Sequence, residues 1–309
     1  MEKRRVGTDG PEVSLVGLGC NNFGMRIDET ASAAVVDAAL EAGITHFDTA
    51  EMYGGGKSEE FLGRALNGRR DQVVIATKAS PRPKDDEFRP GNLGRRIRQA
   101  CEGSLKRLGT DRIDLYYQHY PDPEAPLDEA LEAFDALSRE GKVLHIACSN
   151  YSGELLAAAA KVSTAQHLAS FCADQVEWSL IVRDAEAGVV PEATRLGVSV
   201  VPYFPLASGL LTGKYRRGED FPDGSRFAAS SYFAGVANDA NFDYLDELSA
   251  FAESHGHSVL DLAFGWLAAQ SSVSSIIAGA TTPAQVQANV RAAGWQMTAD
   301  ELKALPTRS

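Results

Sequence analysis

Eight short apolar runs, each followed by a longer segment with helical spacing, limit what this chain can fold into. The runs are 13-VSLVGLG-19, 44-ITHFD-48, 72-QVVIATK-78, 112-RIDLYYQH-119, 142-KVLHIACSN-150, 170-SFCADQ-175, 198-VSVVPY-203 and 273-VSSIIAG-279. Amphipathic patterns such as 32-SAAVVDAALEAG-43, 95-RRIRQACEGSLKRLG-109 and 128-DEALEAFDALSREG-141 lie between them. Several of these patterns stop at glycine (Gly43, Gly109, Gly141, Gly197), as a left-handed helix cap requires. Repeated β-then-α units dictate a parallel sheet with helices outside it. A doubly wound sheet would want G-x-G-x-x-G after its first strand. Here 17-GLGCNNFG-24 places the third glycine two positions late. Eight units in about 250 residues suit a closed barrel better. The expected fold class is therefore α/β, a (β/α)8 TIM barrel, as one domain over residues 1–309. The turn at Asp9-Gly10-Pro11 predicts an N-terminal hairpin closing the barrel bottom. The stretch 208–240, after the seventh run, is too long for an ordinary connection and reads as a lid or binding loop.

Composition excludes several classes of function. The 309 residues carry a formal charge of -12 with no sustained basic stretch, which argues against a nucleic-acid surface. No run reaches the roughly 18 apolar residues of a membrane helix. The N-terminus MEKRRVGTDGPEV lacks the apolar core of a signal peptide, so the cytoplasm is the expected compartment. Cys20, Cys101, Cys148 and Cys172 form no C-x-x-C pair and read as small buried hydrophobes. His255-Gly256-His257 lacks companion ligands, so no metal site is expected; Ser258 reads as an N-cap. His46 and His145 lie within strands and read as satisfied core or bottom-face residues. Oligomeric state is not legible.

The strand ends carry the functional signal. Strand two ends in Asp48, strand three in Lys78, strand four in His119, strand five in Ser149-Asn150, strand six in Gln175 and strand seven in Tyr203. In a barrel these ends share one rim, where active sites form. The triplet Gly56-Lys57-Ser58 imitates the close of a phosphate-binding P-loop. The glycine that motif needs five residues earlier is replaced by Glu51, so a turn with Ser58 as helix N-cap is expected instead. Tyr53 and His119 suit proton donation to a polarised carbonyl. A neighbouring lysine would lower the phenol pKa, and Asp48 would balance that lysine. A hydride must then come from a nicotinamide, because no side chain carries one.

These residues resemble those of the aldo-keto reductases. The resemblance runs from 16-VGLGCNNFG-24 to 276-IIAGATTPAQVQAN-289 through 43-GITHFDTAEMYGGGKSEEFLGRAL-66, 75-IATK-78, 114-DLYYQH-119, 147-ACSN-150, 174-DQVEWSL-180 and 203-YFPLASGLLTGKY-215. It implies reduction of aldehydes and ketones with NADPH, NADH being possible, and a catalytic set of Asp48, Tyr53, Lys78 and His119. It also implies that Ser149, Asn150 and Gln175 hold the nicotinamide carboxamide and that Tyr203 stacks on the ring. Leu206, Ser208 and Lys214 would cover the pyrophosphate together with Arg226. Gly279, Thr281, Gln285 and Asn289 would line the adenosine end. The segment 279-GATTPAQ-285 departs from many NADPH-using members, since it has no Arg or Lys to pair with a 2′-phosphate. Substrate would meet Asn22, Phe23, Tyr53, Tyr120 and Trp178. Two rival functions share the fold: an NADP-binding regulatory subunit of the potassium-channel β type, and a Schiff-base aldolase using Lys78.

Overall fold

The computed structural model describes residues 1–82 and 87–307, with residues 229 and 232 by backbone alone. Eight parallel strands form a closed barrel in chain order: β1 (Val16–Gly19), β2 (His46–Asp48), β3 (Val74–Ala79), β4 (Ile113–Gln118), β5 (Val143–Ser149), β6 (Ala173–Glu177), β7 (Ser199–Tyr203) and β8 (Ile276–Gly279). β8 pairs back with β1, Gly279 opposite Gly19. The fold is the (β/α)8 TIM barrel, with helices around it.

The first apolar run is two strands, not one. Glu12–Ser14 pairs antiparallel with Lys3–Arg5, while Val16–Gly19 enters the barrel. Leu15 is the joint: its N–H donates to the Glu2 carbonyl, and its own carbonyl accepts from Ile276 N–H. The hairpin plugs the barrel bottom. Val6 and Val13 are buried against Ala76, Leu115, Tyr117 and Val201, which point inward from β3, β4 and β7. A second, larger core lies between strands and helices, with Phe47, Ile75, Phe134, Ile146 and Leu262 among its members. Each such side chain contributes roughly 1.5–3 kcal/mol on burial, most of which chain entropy offsets.

The stretch after β7 is more ordered than a bare loop. It holds short helical turns at Ala207–Thr212, Arg226–Ala229 and Ser231–Ala234. Tyr215 stacks on Phe227 at 4.1 Å and meets Phe221 edge-on, which anchors the stretch by aromatic burial. No helix among the described residues is long and apolar enough to cross a membrane.

Candidate active site

All eight strands point the same way, so their C-terminal ends meet at one rim. A cavity of about 480 Å³ opens there. Asp48 forms its floor, and an ion pair lies buried beneath. Lys78 Nζ donates to Asp48 Oδ1 at 2.6 Å and to the Thr49 carbonyl at 2.8 Å. Gln175 Nε2 donates to the second Asp48 oxygen at 2.9 Å. Burial by itself would push the Lys78 ammonium down; the Asp48 charge, Tyr53 and their hydrogen bonds outweigh it, and the net direction is up. Lys78 is fully buried behind Asp48 and Tyr53 and does not touch the cavity.

Tyr53 enters the cavity from the loop after β2, with Lys78 Nζ 5.3 Å from its ring centre. From the sequence, a neighbouring lysine is expected to lower the phenol pKa. Lys78 does pull it down, but burial pushes it up more strongly, with Asp48 and Tyr120 adding to the rise. The phenol therefore stays protonated through neutral pH. His119 sets its ring edge-on to Tyr53 at 5.8 Å and stacks on Tyr120 at 4.9 Å. Burial first, then the Lys78 charge, lowers its pKa to about 3, so its imidazole is neutral.

The glycine run answers to packing, not to phosphate. Gly56 has φ of +95° and is the residue that opens helix Lys57–Ala65. A Cβ at this position would lie 2.8 Å from Arg107 Cδ. Ser58 is not the N-cap. It lies inside the helix, fully buried, where its hydroxyl donates to the Cys20 carbonyl and shares a 2.8 Å hydrogen bond with Thr49. It pins the loop that carries Tyr53 to the end of β1.

Four ionic side chains that sequence reasoning gave no role stand behind this loop. Buried Glu59 accepts from the Thr77 hydroxyl and from Arg107 Nε, each at 2.6 Å. Glu51 accepts from Ser80 N–H at 2.6 Å and from Arg96, and its N–H donates to the Lys78 carbonyl. Arg107 also reaches within 4.0 Å of Glu51. Thr77 adjoins Lys78, and Glu51 lies two residues before Tyr53, so one network fixes both elements. Only the unusual Glu51 inside the glycine motif hinted at it.

The part of the other wall built by β5 and β6 presents neutral hydrogen-bonding groups. Asn150, at a left-handed φ of +61°, donates to Ser149 Oγ and to the His119 carbonyl, both at 3.0 Å. Ser149 Oγ donates to the Gln175 carbonyl at 2.7 Å, and the Tyr203 hydroxyl donates to Asn150 Oδ1 at 2.9 Å. The backbone then turns sharply: Phe204, Ala207 and Ser208 have φ of +49°, +46° and +57°. Each costs about 1–2 kcal/mol for a side chain with Cβ, strain of the kind that collects at ligand clamps. Leu206, Ser208, Lys214 and Arg226 line the cavity from this segment, and Gly279, Thr281, Gln285 and Asn289 line its far end. There Thr281 donates both its N–H and its hydroxyl to Gln285 Oε1. Asn22 and Tyr120 complete the wall.

Two expected substrate contacts are displaced. Phe23 is fully buried, and neither it nor Trp178 reaches the cavity. Trp178 turns into the core, edge-on to Trp266 at 5.5 Å, with its indole N–H donating to Glu186. An apolar aromatic just past a strand end finds more contact beneath the rim than in it. His46 also departs from expectation. It is fully buried, neither ring nitrogen has a hydrogen-bond partner among the described residues, and burial lowers its pKa to about 4. Arg26 and Phe204 line the cavity without having been singled out; nothing in a lone sequence marks a loop arginine as inward-facing.

Comparison with known proteins agrees with this geometry. The aldo/keto reductase family profile matches residues 15–307. Aldo-keto reductase YhdN of Bacillus subtilis (strain 168) is 34% identical over 99% of this chain and 93% of its own length. A probable voltage-gated potassium channel subunit beta of Arabidopsis thaliana is 32% identical over 94% of this chain and 91% of its own. Probable aldo-keto reductase 1 of Glycine max is 32% identical, covering 97% and 86%. The chain belongs to the aldo/keto reductase family of oxidoreductases.

Proposed function

We propose that this protein reduces aldehydes or ketones to alcohols, with Tyr53 as the proton donor. The observation that carries this reading is the meeting, at one cavity floor, of a protonated phenol, a neutral imidazole and a buried Asp48–Lys78 pair. A carbonyl oxygen between Tyr53 and His119 would accept hydrogen bonds from both. As charge develops on that oxygen, Tyr53 gives up its proton to it. The ammonium of Lys78 then stabilises the phenolate left behind, and Asp48 keeps Lys78 charged and in place. His119, being neutral, polarises the carbonyl without competing as an acid.

The donor set fits a nicotinamide dinucleotide. Ser149, Asn150 and Gln175 offer amide and hydroxyl groups to a carboxamide, and Tyr203 offers a ring face. The strained Phe204–Ser208 backbone, Lys214 and Arg226 suit a pyrophosphate, and Gly279, Thr281, Gln285 and Asn289 an adenosine. When bound, that cofactor supplies the hydride. NADPH is the family's usual reductant. The lack of Arg or Lys in 279–285 makes NADH a close competitor here. The similarity to a channel β subunit supports a second reading, a nucleotide-binding subunit with little turnover.

The test is to follow loss of NADPH and NADH absorbance with an aromatic aldehyde, for wild type and Tyr53→Phe. Wild type should turn over, and the variant should be slower by about 10²-fold or more with cofactor affinity retained. Equal rates in the two would remove Tyr53 as the acid. Tight NADPH binding with no turnover by wild type would favour the second reading.

A further inference from the structure

The proposed chemistry gives Arg226 to the cofactor's pyrophosphate and leaves a second positive charge at the cavity wall, Arg26, unused. Arg26, in the loop after β1, and Arg226, on the segment after β7, line the same cavity as Tyr53 and Tyr120. Arg26 donates to the carbonyl of Gly224, two residues before Arg226, so their two segments touch. The Arg226 guanidinium lies against Phe204 and Phe233, which meet edge-on, at 4.9 and 5.0 Å from their ring centres. Those rings hold the cation by its attraction to aromatic π-electrons. Neither arginine forms an ion pair with a carboxylate among the described residues, although the chain has 42 acidic residues to 30 basic ones. By contrast Arg64, Arg70 and Arg183 each hold one. Burial, and then the charge of Arg26, keep Arg226 below the usual arginine range.

Arg26 is exposed at the cavity's edge, and like charges facing one cavity repel, a repulsion that an anion joining them would relieve. The cavity supplies none. Asp48 is taken by Lys78 and Gln175. The other lining carboxyl, Glu177 on β6, is raised by burial and by Asp184 and forms no ion pair with either arginine.

We propose that Arg26 selects carbonyl substrates bearing a carboxylate or phosphate, the anion lying against its guanidinium while the carbonyl meets Tyr53 and His119. Arg226 forms the positive wall behind it. This rests on the reductase reading above. The same anion chemistry could come from the cofactor's pyrophosphate, and the experiment separates the two sources.

Rates would be compared for 4-carboxybenzaldehyde and its neutral methyl ester, in wild type, Arg26→Ala and Arg26→Lys. NADPH affinity would be read in parallel by fluorescence titration. One charge-assisted hydrogen bond predicts an acid-to-ester ratio of kcat/KM of about ten or more in wild type. That ratio should collapse toward one in Arg26→Ala, recover in part in Arg26→Lys, and fall as salt rises. A wild-type ratio at or below one, or a ratio unchanged in Arg26→Ala, overturns the proposal. So does a loss confined to NADPH affinity, which would assign the anion to the cofactor. Should neither aldehyde be reduced, the reductase reading fails by itself. Calorimetric titration of the NADPH-loaded protein with terephthalate then decides, since Arg26-dependent binding upholds the anion site and its absence overturns it.

Discussion

The two halves of the barrel rim are built on different principles. On the side of β2, β3 and β4, buried charges come in compensated sets. Asp48 faces Lys78 and Glu59 faces Arg107, and the pattern continues at the opposite end of these strands, where Asp114 of β4 accepts from Ile75 N–H while pairing with Arg70 at 2.7 Å. On the side of β5 to β8, the rim offers neutral amides and hydroxyls, a strained segment, and charges without an opposite partner: Asp174, Glu177 and Arg226 form no ion pair among the described residues. The difference follows from the work each half is proposed to do. Proton transfer needs one fixed geometry, and paired buried ions hold geometry well because misplacing either partner is costly. Holding an exchangeable cofactor needs groups that stay satisfied both with and without it, which neutral hydrogen-bonding groups manage at lower cost.

The sharpest way to break this contrast is Arg107→Met. It leaves the fully buried Glu59 carboxylate with only the Thr77 hydroxyl. Loss of stability should be about 3 kcal/mol, read as a fall of roughly 5 °C in thermal midpoint. Because Glu59 and Glu51 tie Thr77 and the Tyr53 loop together, kcat should drop about tenfold while cofactor affinity holds. An unchanged midpoint would mean the half on the side of β2, β3 and β4 does not depend on charge pairing. Gly56→Ala tests the same half more gently. Alanine would have to adopt φ of +95° with its Cβ 2.8 Å from Arg107 Cδ. A loss of about 2 kcal/mol is expected, with a smaller fall in kcat than for Arg107→Met. A neutral result would show that Arg107 can swing aside and that the glycine serves the turn alone.

The contrast was only half legible in the sequence. The barrel was, because eight alternations of period and a polar residue at the end of most strands are local patterns. Asp48, Tyr53, Lys78 and His119 could be singled out because each sits at or near a strand end. The Glu59–Arg107 pair could not, since it joins two helices 48 residues apart and each residue alone looks like a solvated helix charge. Ser58 misled for a related reason. Serine before two acidic residues is a good capping signal, yet Gly56 already starts the helix and the hydroxyl is needed inside, against Thr49. Trp178 and Phe23 follow the rim in sequence but turn under it, a choice made by neighbours that the sequence does not place.

The last prediction, a slope against pH, lies in the other half. Asp174 is buried on β6 beside Cys148 and Tyr151. Burial raises its pKa to about 8, neither carboxyl oxygen has a hydrogen-bond partner among the described residues, and the nearby Tyr151 backbone and Cys148 thiol pull the value back only in part. In the unfolded chain it would titrate near 4. Between those two values the folded state binds more protons than the unfolded state, so this group's contribution to stability declines as pH rises from about 4 to about 8. An amide in its place would carry no such slope. The substitution Asp174→Asn should therefore gain on wild type by a few degrees in thermal midpoint between about pH 5 and pH 8. The compensated ions across the barrel should add little slope in that window, so the variant's midpoint should run nearly flat. If variant and wild type instead keep the same slope, the uncompensated carboxyl is not what sets the two halves apart, and the contrast reduces to backbone strain against ion pairing.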